Sequence, residues 1–158
     1  MGEIAVALAE AAPSLHVVGI DVLDDVLEAG RARVVERGLA EVVLRRQDAA
    51  ALADVAVFDL VYLPAYFVLE DAVVAALPRI RAALRPGGWI FVPVREGFGS
   101  EVARAITLWQ HPGCAVWSPQ ETEHRLVEAG FDDVHSIVVS PLAPTIVVGA
   151  HRADARGR

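Results

Sequence analysis

The sequence predicts an α/β domain: a doubly wound, mostly parallel sheet that ends in an antiparallel hairpin and lacks its first strand. Three observations predict it. From Gly2 the chain runs helix, apolar strand and then an acid, Asp21, 19 residues on, the order of a nucleotide-binding unit entered one strand late. Short apolar runs then alternate with helical patterns as far as Val94. Finally, the β-rich segments 133–139 and 145–150 have only five residues between them. A parallel crossover needs a dozen or more, so this last pair should be antiparallel.

Each element has its own warrant. Ile4, Leu8 and Ala12 share a helical face, and Pro13 stops that helix. His16-Val17-Val18-Gly19-Ile20 is a nearly continuous apolar run, the form of a strand buried on both faces. Asp24 and Asp25 open a second helix, where carboxylates suit the dipole, and Gly38 ends it in a left-handed turn. Residues 41–46 form a strand near the sheet edge, followed by Gln47-Asp48-Ala49, and 57–63 form a stronger strand. Val73, Leu77, Ile80 and Leu84 then line one face of a helix that contains Pro78, which either kinks it or starts a new helix. Arg85-Pro86-Gly87-Gly88 turns into the strand 89–94, and helices follow near 100–109 and 119–129. The domain spans 1–151, and 152–158 is a disordered tail.

Composition narrows the function classes. A chain of 158 residues has room for one domain, and 54% hydrophobic with 22% charged residues describes a compact fold rather than a disordered one. The net charge of −7 and the lack of a large basic cluster give no reason to approach nucleic acid. The single cysteine, Cys114, excludes an internal disulfide and any multi-cysteine metal site, so no metal is expected. No run of 18 apolar residues is present for a membrane span, and the apolar stretch 4–9 sits between Glu3 and Glu10 with no basic leader. By elimination the expected address is cytoplasmic. Nothing in the sequence sets an oligomeric state.

Four local signatures, in order and spacing, carry a family resemblance. They are Gly2-Glu3-Ile4-Ala5, Val18-Gly19-Ile20-Asp21, Gln47-Asp48-Ala49 and Leu84-Arg85-Pro86-Gly87-Gly88. With the order of elements, they make the chain resemble class I S-adenosylmethionine-dependent methyltransferases, which have a Rossmann-like sheet of order 3-2-1-4-5-7-6. The resemblance implies S-adenosylmethionine as cofactor and a small-molecule methyl acceptor as partner. It also implies cofactor contacts from Gly2, Asp21, Val22, Asp48, Ala49 and Leu63, and substrate contacts from Tyr66 and Phe67.

Physical chemistry gives several of these residues a role of their own. A carboxylate just past a buried strand stands where open α/β sheets bind ligands, and Asp21 there can accept two ribose hydroxyls. It can equally cap the next helix. Asp48 can accept from an adenine amino group beside the Ala49 N–H, or simply close a turn. Gly2 lets backbone approach an anion at a helix N-terminus. Methyl transfer from a sulfonium asks mainly for in-line positioning and exclusion of water, so no catalytic constellation is required. Leu63-Pro64-Ala65-Tyr66 stands where amino-group methyltransferases of the family it resembles carry an Asp/Asn-Pro-Pro-Tyr-type segment, and the Leu63 side chain has no carbonyl to hold an exocyclic amine, so the resemblance disfavours that subclass. Tyr62, Tyr66 and Phe67 follow the same strand, with core packing expected for at least two of them. His111, in a loop with Pro112 and Gly113, is the one histidine placed to serve as a general base.

The expected departure from the family is the first strand with its glycine-rich loop, the mark of an N-terminally truncated copy. Loss of a central strand strips ladder partners from both neighbours, at roughly 1–3 kcal/mol per buried unsatisfied group. Two alternatives stand beside the methyltransferase reading. One is a non-catalytic or partner-dependent subunit of the same fold; the other is an NAD-dependent oxidoreductase, since an acid at this spacing also binds an NAD ribose.

Overall fold

The computed structural model describes residues 2–95, 105, 109, 112–138 and 145–151. The chain divides into two compact units, Met1–Ala51 and Leu52–Arg158. The expected helix 100–109 falls largely outside the described residues, and the tail 152–158 wholly so.

The first unit is built from α1 (Gly2–Ala11), β1 (Val17–Asp21), α2 (Asp24–Glu36) and β2 (Val42–Arg46). The two strands pair in parallel, in register from Val17↔Val42 to Asp21↔Arg46. Ala5, Ala9 and Val42 are buried together, with Val17, Val34, Leu39 and Leu44 packed against them. Small residues bring α1 close to β1: a Cβ added at Gly19 would lie 3.9 Å from the Ala5 Cβ and 2.7 Å from Leu44 Cδ2. Gly38, at φ +65°, follows α2 in the left-handed conformation that its lack of a Cβ permits.

The second unit holds β3 (Phe58–Tyr62), α3 (Glu70–Ala83), β4 (Leu84–Arg95), α4 (Pro119–Glu128), β5 (Asp132–Val138) and β6 (Thr145–His151). Its sheet runs β3-β4-β6-β5. β3 and β4 are parallel, whereas β6 is antiparallel to both β4 and β5. The C-terminal pair is therefore antiparallel, as its short connection requires. Within each unit the strand order, β2-β1 in the first and β3-β4-β6-β5 in the second, agrees with the corresponding part of the family's order. No strand precedes α1 among the described residues.

Three local expectations need correction. Leu84 does not end the helix but opens β4, while Val73, Leu77 and Ile80 are buried on α3 with Ala76 and Ala83. Pro86 explains the change, because it disfavours helical backbone at Arg85 and draws the chain out straight. The expected turn 85–88 survives as an irregularity within β4: Phe58 pairs with Leu84 but Leu60 with Trp89. Gly87 there has φ +82°, and a Cβ at Gly88 would meet the Arg85 carbonyl oxygen at 2.9 Å. Pro78 starts no new helix and sits inside α3. Finally, β1 is not buried on both faces, since Val18 is 37% exposed, and Leu60 of β3 is 48% exposed. Each is the terminal strand of its own sheet and has a ladder partner on one side only.

Deep burial concentrates on β4, where Ile90 and Val92 are almost wholly enclosed. α4 starts with a capping box: the Ser118 hydroxyl accepts from the Glu121 N–H, and the Glu121 carboxylate accepts from the Ser118 N–H at 2.7 Å. Ser118→Ala should lower stability by about 0.5–2 kcal/mol in chemical denaturation. An unchanged midpoint would mean that the box carries no net stabilisation. Among the described residues, no helix is long and apolar enough to cross a membrane.

Candidate functional site

In the first unit, the parallel pairing sets Asp21 and Arg46 side by side as the last residues of β1 and β2. The Gln47 N–H donates to the Asp21 carbonyl at 2.9 Å, extending that pairing to the edge of the turn. Asp48 follows directly, so both acids stand on the carboxyl-end rim of the same two strands. Ala49 opens the short 3-10 turn Ala49–Ala51.

Each carboxylate is braced by its own loop. Asp21 Oδ1 accepts from the Leu23 N–H at 3.0 Å, and Asp48 Oδ1 accepts from the Ala50 N–H at 2.8 Å. The Asp21 bond is not a helix cap: the N-cap of α2 is Leu23, with no side-chain bond. These bonds each engage one carboxylate oxygen, Oδ1. Arg46, the neighbouring cation, pairs with Asp24 at 3.0 Å rather than with Asp21. Val22 is exposed between Asp21 and the turn. Gly2 is the first residue of α1. Because α1 doubles back into β1 through residues 12–16, with Ala5 beside Gly19, the start of α1 comes to the Asp21 end.

The second unit carries the rest. Leu63 is buried just after β3, its N–H donating to the Phe91 carbonyl and its own carbonyl accepting from the Ala65 N–H. Tyr66 and Phe67 lie in the 3-10 turn Ala65–Phe67, with ring centroids 4.4 Å apart. The expectation that two of the three aromatics pack in the core is overturned. Tyr62 is 39% and Phe67 51% exposed, and Tyr66 is half-buried in the wall of a shallow recess. Among the described residues, β3 pairs with β4 alone. His111 lies outside the described residues.

Sequence reading missed how the segment 112–117 attaches here. The Glu70 N–H donates to the Gly113 carbonyl, the Ala115 N–H donates to the Val68 carbonyl, and Leu69 bridges Cys114. Glu70 also accepts from Trp117 Nε1 at 3.2 Å and pairs with Arg125 at 3.5 Å. Partners about 45–55 residues apart in sequence leave no local signal. Among the described residues, no group of His, Cys, Asp or Glu is placed to hold a metal ion.

A family model described as a methyltransferase domain matches residues 1–88, just over half of the chain. The chain belongs to that methyltransferase family. The match replaces the oxidoreductase alternative, and the family's cofactor is S-adenosylmethionine. Among solved structures, this methyltransferase domain is similar to the S-adenosylmethionine-dependent methyltransferase SibL in its apo form, at 26% identity and a TM-score of 0.78. That similarity covers 94% of the domain and 47% of SibL. PigF with SAH is similar at 18% identity and a TM-score of 0.74, over 96% of the domain and 47% of PigF. The [4+2]-cyclase SpnF shares the fold at 17% identity and a TM-score of 0.73, over 98% of the domain and 72% of SpnF. The chain thus spans about half the length of SibL and PigF. No curated protein matches it.

Proposed function

We propose that this domain transfers a methyl group from S-adenosylmethionine to a small molecule, and that the 158-residue chain is incomplete as a catalyst. The observation that carries the reading is the pair Asp21 and Asp48, braced on one rim of β1 and β2. Both fit the cofactor's polar groups. Asp21 would accept the ribose hydroxyls, Asp48 would accept from the adenine amino group with Ala49 beside it, and Val22 would flank the base. Gly2, at the start of α1, would face the amino-acid carboxylate. In the second unit, Leu63 is a candidate cofactor contact, Tyr66 and Phe67 are candidate acceptor contacts, and His111 is the candidate base. The bound sulfonium supplies an already activated methyl group, so the chain's task is positioning and exclusion of water.

In a chain extended to bind cofactor, Asp21→Ala should weaken S-adenosylhomocysteine binding by one to two decades. Hydrogen bonds to a charged group contribute roughly 1.5–3 kcal/mol. Calorimetry reads this directly, and unchanged affinity would remove Asp21 from the site.

A second reading is a partner-dependent subunit that keeps the fold without the reaction. SpnF, a cyclase by description, sets beside it a protein of this fold named for other chemistry. Failure of the extended chain to bind S-adenosylhomocysteine would favour this reading.

A further inference from the structure

Segment 113–117 crosses the start of α3 as a strap with few attachments. Its backbone makes one antiparallel bridge, Leu69↔Cys114. There the Glu70 N–H donates to the Gly113 carbonyl at 2.8 Å and the Ala115 N–H to the Val68 carbonyl at 2.9 Å. The side-chain attachment converges on Glu70. Its Oε1 accepts from Trp117 Nε1 at 3.2 Å and pairs with Arg125 Nη2 at 3.5 Å, while the Arg125 guanidinium lies 5.8 Å from the centre of the Trp117 ring. Glu128 pairs with the same arginine at 3.5 Å. β4, by contrast, is paired with β6 at every residue from Trp89 to Arg95 and with β3 on its other edge. Segments held by few hydrogen bonds open locally, at a cost well below that of unfolding the whole.

The two ends of the strap differ. Ser118 is fixed by the capping box of α4, whereas Gly113 is exposed and has φ +80°, a conformation that suits a residue without a Cβ. The inner side of the strap is apolar. Ala115 and Val116 are buried and form one wall of the recess that Tyr66, Val92 and Val94 complete. Closed, that recess has room for about one water molecule. A larger group reaches this side of Tyr66 only if a wall moves. The strap is the wall with the least pairing, since Val92 and Val94 belong to the central strand of the sheet.

We propose that the strap 113–117 is a gate beside Tyr66 and that Glu70 is its latch, a positioning residue acting through Trp117 and Arg125. The role of Tyr66 as an acceptor contact rests on the methyl-transfer reading above, whereas the gate rests on contacts within this unit alone. One carboxylate holds the strap through the indole and α4 through the guanidinium, so its removal releases both attachments together. A partly exposed ion pair adds little by itself. The bond to the indole and the guanidinium over its ring therefore carry most of the hold. Glu70→Gln keeps a side-chain carbonyl for the indole and should loosen the strap less than Glu70→Ala.

Cys114 is the single cysteine of the protein, lies in the strap and is partly buried, so its labelling rate reads the opening. With 5,5′-dithiobis(2-nitrobenzoate), the 158-residue chain should react at least about tenfold more slowly than an unfolded thiol, at a rate that low urea leaves unchanged. Glu70→Ala should speed labelling by about tenfold and Glu70→Gln by about two- to fivefold. Ile90→Ala, which weakens the sheet and not the strap, should change the urea-free rate by less than about twofold. Toluene is the probe for the uncovered wall. It binds the open state alone, so near-saturating toluene should raise the rate by about twofold or more. A rate equal to that of the unfolded thiol, a rate that changes with urea from the lowest concentrations, no acceleration in either Glu70 variant, or no rise with toluene would each overturn the proposal. Circular dichroism identifies any variant that has lost its fold, and the wild-type urea series with Glu70→Gln decides the case in which the alanine variant does. S-adenosylhomocysteine binding to the extended chain is scored separately. Its failure sinks the methyl-transfer reading while leaving the labelling kinetics standing.

Discussion

Titrated with S-adenosylmethionine, the 158-residue chain should bind more weakly than micromolar. The same chain fused to an apolar strand and glycine-rich turn of the family's type should bind at least about two decades more tightly. A micromolar dissociation constant requires about 8 kcal/mol. On the proposed reading Asp21 and Asp48 would supply two or three hydrogen bonds, worth about 0.5–1.5 kcal/mol each, or about 1.5–3 to charged groups. Part of that is offset by ordering the ligand. Among the described residues, Gly2 at the start of α1 is the one proposed to face the amino-acid carboxylate, and one residue makes a small cradle for it. A fused strand that pairs with β1 would add ladder hydrogen bonds, so the extended protein should melt at a higher temperature. Submicromolar binding by the chain as it stands would overturn this account, because it would require an anion site elsewhere.

Ile90→Ala should destabilise the protein by about 2–5 kcal/mol, the largest loss expected from any single truncation proposed here. Ile90 is fully enclosed on β4, the strand that joins the parallel part of the sheet to the antiparallel part. Its main chain pairs with Val61 on one side and Ala150 on the other. A cavity there cannot be filled by moving one neighbour, since both flanking strands are held by their own ladders. For a chain of this size the cost corresponds to a melting temperature lower by roughly 5–15 °C. The control is Leu60→Ala on β3, whose side chain is 48% exposed and which should cost well under half as much. Similar losses at the two positions would show that β4 is not the core of this unit.

Much of the architecture was legible in the chain, for reasons that are local. The five residues between the last two strands forbid a crossover, and those strands are antiparallel. Gly38 and Pro13 stop their helices because their backbones favour or forbid particular angles, whatever surrounds them. Asp21 and Asp48 could be placed on one rim because a strand of the same parallel pair leads into each of them.

What the sequence determined by itself was the family, the order of the elements and the residues that punctuate them. Only the tertiary structure decided which apolar residues are buried. Val18 belongs to an apolar run that reads as buried on both faces, yet it lies on the terminal strand of its sheet and stays partly exposed. The Tyr66 recess was equally out of reach, because Glu70, Trp117 and Arg125 meet across long stretches of chain. Periodicity and turn chemistry act over a few residues and write themselves into the sequence. Burial and long-range pairing depend on which strand lies alongside, and no short stretch of sequence records that neighbour.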